Sequence, residues 1–454
     1  MCVQKMSTPH ETKPDEYLRD EGALYKCVEE TVQSTPVFDM HTHLYPPQFG
    51  ELNLWGIDEL VTYHYLVAEL FRSCEVSIEA FWKMDKAQQA DLVWQKLFVE
   101  NPPVSEACCG VVGVMSALGL NPRARTLKEA REYFEDRKPY DHLATVLQVS
   151  GVSDVAMTND PLNEMEEAVF ESGELIDSRF HAVLRLDPIL NDWANTHAKI
   201  AAKGYKVGAE LSEETLKEVR RFFESWVQKM RPLYLAVSME CGFAYPDDGP
   251  RGKLLDEAVV PVCRDHDIPL AMMIGVRRGQ NPTLRGAGDG VGPIDVQAVA
   301  AVCAKHPDVR FMVTLLSREN QHELCVTARK FRNLLPFGCW WFLNNPSIIH
   351  EITRERLEML GTTFVPQHSD ARILDQLIYK WRHSKRIIAQ ALAESYLQAL
   401  WDGRVTTRRE VEQDVVRLLS GNIRTWTCLD AVQAPLSYEV KRSKSQAGEG
   451  QPSR

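Results

Sequence analysis

The chain has no apolar run approaching 18 residues and no charged segment followed by an apolar stretch at its N-terminus. Neither a membrane span nor a secretory signal is therefore expected, and the sequence reads as a soluble, cytoplasmic protein. Its eleven cysteines form no C-x-x-C pair and are scattered through apolar segments, as reduced thiols would be rather than a disulfide framework. No basic patch interrupts the body of the chain, and the formal net charge of −11 would repel nucleic acid and anionic membranes. A glycine-rich phosphate fingerprint is missing after the first apolar strand, which argues against a doubly wound nucleotide-binding sheet.

What is present is 454 residues of ordinary globular composition, 44% hydrophobic and 25% charged. The stretch 36–43 reads as a short apolar strand running into His41 and His43. In a strand, side chains two apart point to the same side, so both imidazoles face one place and make a candidate metal claw. Alone it says little: with 13 histidines, chance supplies roughly 0.4 such spacings, and two imidazoles do not complete a catalytic zinc site.

Residues 1–35 read as a tail and a helix, 36–50 as the first strand, and 51–150 as a helical insertion placed to form a lid or pocket wall. From there to about 380, short apolar runs alternate with helical periodicity. The runs fall at 155–158, 181–185, 233–238, 269–274, 310–315, 340–343 and 362–368. With 37–40 they make eight strand candidates, the signature of a (β/α)8 barrel whose chemistry sits at the C-terminal strand ends. Residues 381–437 read as extra C-terminal helices, with a capping box at 407–410 opening a helix that stops near Gly421. Residues 438–454 read as a disordered tail.

The eighth candidate ends in His368, Asp370 and Arg372, which share one face if the backbone stays extended. Asp370 is then the natural third ligand to His41 and His43, since strands one and eight are neighbours in a closed barrel. The alternative is a plain Asp–Arg surface pair. The glycine-rich segment 286–292 follows the fifth strand and reads as a mobile loop rather than a phosphate cradle.

The stretches His41-Thr42-His43-Leu44, His64-Tyr65, Thr158-Asn159-Asp160-Pro161-Leu162, Arg185-Leu186-Asp187, Gly338-Cys339-Trp340-Trp341-Phe342 and Asp370-Ala371-Arg372 follow one another along the chain. Taken in that order, they resemble the motifs of the uronate isomerase family of the amidohydrolase superfamily. The resemblance implies an aldose–ketose isomerisation of a hexuronate through an enediol, on a metal-dependent hydrolase-type barrel. It also implies one divalent ion on His41, His43 and Asp370, with zinc the leading candidate. Asp370 would act in ring opening or as base, Tyr65 as proton relay or hydrogen-bond donor, and Arg372 and Arg185 as forks for carboxylate or enediolate oxygens. His64, Trp340 and Trp341 would line the sugar. The partner would be a small sugar acid, with no nucleic acid or membrane, and homo-oligomerisation stays open.

The chain departs from the family in places. Met273 stands where the fifth strand usually ends in histidine, Met239-Glu240 replaces D-H, and Leu66-Val67-Ala68 replaces basic residues. His368 is a histidine gained in the last strand, and it is read as supplying the imidazole lost at Met273. Two other readings compete: a mononuclear hydrolase or decarboxylase on the same barrel, and an inactive scaffold. Ser238-Met239, Met273 and Ser317-Arg318 offer no bridging lysine or later histidines, so a two-metal site is disfavoured.

Overall fold

A parallel sheet curls through the middle of the computed structural model, which describes residues 16–174 and 176–429. Its strands, numbered along the chain, are β1 (Val37–Thr42), β2 (Val152–Asn159), β3 (Phe180–Arg185), β4 (Leu235–Glu240), β5 (Leu270–Arg277), β6 (Phe311–Leu315) and β7 (Leu334–Pro336). They pair in that order, all parallel, with helices in the connections. β3, β5 and β6 are apolar along most of their length and, like β1, almost wholly buried, as strands covered on both faces must be.

The eighth position holds no regular strand. The segment 364–371 nevertheless hydrogen-bonds on both sides. Toward β7, Val365 N–H donates to the Pro336 carbonyl (3.1 Å) and Gly338 N–H to the Val365 carbonyl (2.8 Å). Toward β1, Asp370 N–H donates to the His41 carbonyl (3.1 Å) and His43 N–H to the Ala371 carbonyl (2.8 Å). Asp39, buried at the start of β1, accepts from Ser369 N–H and from the Trp381 indole (3.0 and 2.8 Å) and pins the same segment. The ring is closed by an irregular eighth piece.

Two strand expectations are corrected. The seventh strand is Leu334–Pro336, upstream of the tryptophan run, which forms a tight turn at Trp341–Leu343. Pro336 lacks a donor, and Gly338 (φ 64°) and Trp341 (φ 48°) leave the extended region, so the ladder stops early. The expected alternation of 368, 370 and 372 on one face is broken because Asp370 adopts φ 49°. The segment 286–292 is also ordered rather than a plain loop: Gly290–Val291 pairs antiparallel with Val276 and Arg277 of β5.

Between β1 and β2 the insertion is helical throughout, from Ile57–Val61 to Pro139–Ser150. It is tied down by a buried His142–Asp375 contact (2.7 Å), whose carboxylate also accepts from Gly56 N–H (2.8 Å). Helix Glu106–Ala117 comes so close to the long helix Gln376–Trp401 that a Cβ on Gly110 would sit 2.7 Å from the Tyr379 ring. The Thr407–Glu410 capping box opens Arg408–Val416 as expected, but helical backbone continues past Gly421 to Trp426. Tyr17–Leu18 pairs with Thr406–Thr407 and ties the two ends of the described chain together. Residues 438–454, read as a disordered tail, lie outside the described residues.

Candidate active site

At the C-terminal end of β1, His41, His43 and Asp370 bring one ligand atom each to within 4.8 Å of one another. No second group of this kind occurs among the described residues. The hydrogen bonds beneath the imidazoles decide which nitrogen faces the centre. Thr158 Oγ1 donates to the Thr42 carbonyl (2.9 Å) and lies 2.9 Å from His43 Nδ1. A hydroxyl has one proton, so it can only accept from Nδ1–H, and His43 Nε2 keeps its lone pair. The same logic holds next door. The Tyr234 hydroxyl donates to the Met40 carbonyl and lies 3.3 Å from His41 Nδ1, which leaves His41 Nε2 as the free nitrogen. These tautomers are assigned from the network. Hydroxyls behind metal-binding imidazoles orient the ring in this way.

The electrostatics agree with that assignment. Burial, with the neighbouring His43, pushes His41 down to about 3; burial and the Arg372 guanidinium push His43 down to about 4. Both rings are neutral near pH 7. Burial opposes the charge on Asp370; a proton on the touching His43 or on the nearby His41 and His368 would pull the carboxyl far below the usual carboxylate range, a support that the neutral rings do not give. His43 Nε2 thus aims a lone pair at the carboxylate oxygen 3.4 Å away. Two acceptors facing each other repel unless a cation sits between them, so the donor set fits a divalent ion. Asp370 is 8% exposed, which excludes a surface Asp–Arg pair.

Around this centre the cleft is lined by His64, Arg185, Ser238, Arg278, Trp340, Trp341 and Arg372. Arg185 is fixed by Asp187 (3.1 Å) and Arg278 by Asp289 (2.5 Å). Arg372 makes no ion pair among the described residues and leans on the Tyr63 hydroxyl. His64 Nε2 and Trp341 Nε1 are buried without a hydrogen-bond partner. Trp341 stacks on Phe342, ring centroids 4.7 Å apart. Trp340 is buried among the apolar side chains of the barrel interior.

Two expected residues stand behind the lining. Tyr65 packs edge-on to His64 (4.6 Å), with its hydroxyl buried and unpartnered. His368 packs edge-on to His41 (5.5 Å), with both ring nitrogens unpartnered. Its Nδ1 is pressed against Gly338, where a Cβ would lie 1.7 Å from it, so this ring fits only beside glycine.

Sequence reasoning missed Thr158 and Tyr234 as the residues that orient the imidazoles, and Arg278 as a cleft cation. Thr158 lay in a quoted motif, Tyr234 in a strand read only as apolar, and the Arg277-Arg278 pair at a strand end was a signal left unused.

Taken together, these elements define a (β/α)8-barrel protein with a three-ligand group that could hold one metal ion in a cationic cleft. No family model and no curated protein matches the chain. Among solved structures, a uronate isomerase from Bacillus halodurans C-125 is 49% identical, covering 91% of this chain and 99% of that one with a TM-score of 0.89. A uronate isomerase from Thermotoga maritima (14% identity, 89% of this chain and 97% of that one, TM-score 0.74) shares the fold. So does a glucuronate isomerase from Caulobacter crescentus (14%, 90% and 95%, 0.72). The chain belongs to the uronate isomerase family.

Proposed function

We propose that this protein is a metal-dependent aldose–ketose isomerase acting on a hexuronate of the glucuronate or galacturonate type. The observation that carries the reading is the 49% identity to a uronate isomerase over almost its whole length. The cleft chemistry supports it. In the reaction C2 loses its hydrogen and its hydroxyl proton while C1 and its oxygen gain one each. The site therefore needs a base, a cation for the sugar carboxylate, and stabilisation of two oxygens as charge develops.

His41, His43 and Asp370 would hold the ion, with zinc favoured by a donor set of two imidazoles and one carboxylate. When bound, the ion supplies an electrophile for the substrate oxygens. Asp370 would take a proton in ring opening or from C2. Arg372, free of carboxylate partners, offers its planar fork to the sugar carboxylate, with Arg185 and Arg278 held nearby by their own acids. His64 Nε2 and Trp341 Nε1 are open to sugar hydroxyls. Tyr65 relays a proton from behind His64, and His368 supplies the extra imidazole beside His41. Trp340 backs the wall.

Free space in the cleft is about 30 Å³. That is room for roughly two waters, so a hexuronate enters only if the rim moves. The Trp341–Phe342 turn and the segment 278–292 form part of that rim, and the insertion holds the latter through Trp82: its indole donates to the Thr283 carbonyl (3.2 Å) and its ring carries the Arg285 guanidinium (4.5 Å).

A cytoplasmic location fits the ten described cysteines, all free thiols. No helix among the described residues is long and apolar enough to cross a membrane. Nothing in the cleft favours hydrolysis or decarboxylation. The test is to measure bound metal and then incubate the protein with a panel of uronates in deuterated water, following C2 exchange and ketose formation by NMR. Exchange and ketose on a hexuronate are expected; bound metal with no exchange on any uronate would overturn the reading.

A further inference from the structure

The insertion does not close tightly along the whole of the long helix Gln376–Trp401. Helix Glu106–Ala117 meets it at Gly110, where the Tyr379 ring leaves no room for a side chain. One turn on the fit is already looser: a Cβ on Gly113 would meet only Tyr379 Cβ, at 3.6 Å. Beside this contact lies a cavity of about 710 Å³, bounded by the two helices and by residues 345–347. It shares no lining residue with the cleft that holds His41, His43 and Asp370. Protein interiors pack without gaps of this size, and the volume is that of a small-molecule pocket.

The lining selects what can occupy it. The exposed Val104, with Cys109, Gly113 and the Tyr379 ring, makes an apolar wall. Arg382 and Arg386, one turn apart on the long helix, line the same space, and their guanidiniums make no ion pair or hydrogen bond among the described residues. The other titratable groups offset them only in part. Glu29 stands on the exposed rim, burial raises Glu106 from 4.5 to about 7, and burial pushes His383 down to about 3. Near neutral pH two guanidiniums therefore face Glu29, a partly protonated Glu106 and a neutral imidazole.

We propose that this cavity is a second ligand site, for a small organic anion with an aromatic or other flat apolar body. The carboxylate lies against Arg382 and Arg386, whose planar forks match its two oxygens. The body covers Val104 and the Tyr379 ring, which gain an apolar neighbour in place of water. No bond is made or broken. The site is independent of the isomerase reading, since none of its residues belongs to the metal cleft.

The test titrates the full-length protein with 2-naphthoate by calorimetry. In parallel, iodoacetamide labelling of Cys109 is followed by peptide mass spectrometry. Cys109 is exposed, whereas the other described cysteines are buried or half-buried, so its protection locates the probe. Binding with a Kd on the order of 100 µM is expected from a probe of this size, with labelling slowed at saturation. The uncharged 2-naphthamide should bind at least about 10-fold more weakly, and Arg382→Gln/Arg386→Gln should weaken 2-naphthoate by a similar factor. Gly113→Leu, which fills the space and leaves the charges, should abolish binding. Both arginines are exposed, so the double variant should keep the metal content and thermal midpoint of the parent even if Gly113→Leu folds poorly. Equal binding of the amide, unchanged binding in the double variant, or no slowing of Cys109 labelling would each overturn the inference. Protection of Cys109 that grows with protein concentration and needs no probe would also overturn it, in favour of a second copy of the chain.

Discussion

The floor and the wall of the cleft are built on opposite rules. On the floor the Nδ1 atom of each candidate metal-binding imidazole has a committed partner: Thr158 orients His43, Tyr234 orients His41, and each hydroxyl is itself anchored on a backbone carbonyl. On the wall Arg185 and Arg278 are held by their own acids, but other polar groups are left open. His64 Nε2, Trp341 Nε1 and the Tyr65 hydroxyl are buried without partners, and Arg372 has no carboxylate. A buried polar group left unpaired costs about 1–3 kcal/mol, so the wall carries a standing penalty that a hydroxyl-rich, anionic visitor would relieve. The contrast suits a fixed ion below and a transient sugar above. Backbone strain marks the boundary, since Asp370 and Trp341 both adopt positive φ.

The comparison can be broken in four ways. The largest effect is expected on the floor, where Asp370→Asn should empty the ion site and cost on the order of 10³-fold or more in kcat, because one change removes a ligand and an ionised carboxylate. Metal retained at full occupancy would contradict the floor assignment. On the wall, Arg372→Lys should keep the metal yet lose roughly 100-fold in kcat/KM, since an ammonium cannot reproduce the fork; lost metal would mean that floor and wall are not separable. Thr158→Val, beneath the floor, should weaken metal affinity by roughly 10-fold or somewhat more in a competition titration with a chelator, through loss of the bond that orients His43.

The smallest effect on the ion site and on turnover is expected away from both, at Glu166. Burial raises its carboxyl from 4.5 to about 7 despite bonds from Asn159 and the Asp160 N–H. A raised folded pKa means the stabilising contribution is fully present below pH 4.5 and is lost as the pH rises through about 7. Glu166→Gln should remove that slope, on the order of 3 kcal/mol across the window, from urea titrations at several pH values, with metal binding unchanged. An unaltered pH dependence of stability would show that Glu166 stays ionised.

Much of the floor was legible in the sequence. His41 and His43 end a short strand with period-2 spacing, and Asp370 follows the apolar Phe364-Val365 pair in the segment that closes the barrel, so spacing in β1 and barrel topology together pick out the three residues that could hold an ion. The wall was less legible. Asp370 and Trp341 break the extended pattern with positive φ, which shifts the seventh strand upstream to Leu334–Pro336 and leaves the eighth irregular. Thr158 and Tyr234 orient imidazoles more than a hundred residues away in sequence, and no local pattern signals that. Arg278 enters the cleft because a short antiparallel pairing folds the glycine-rich segment back onto β5, where composition suggested only a loop.

The central claim is that the floor is a one-ion site. Elemental analysis of the protein purified without chelators, counted per chain, tests it most directly. The account predicts one divalent ion per chain; two ions would mean that a second set of ligands exists, and none after reloading with zinc would contradict the assignment of His41, His43 and Asp370.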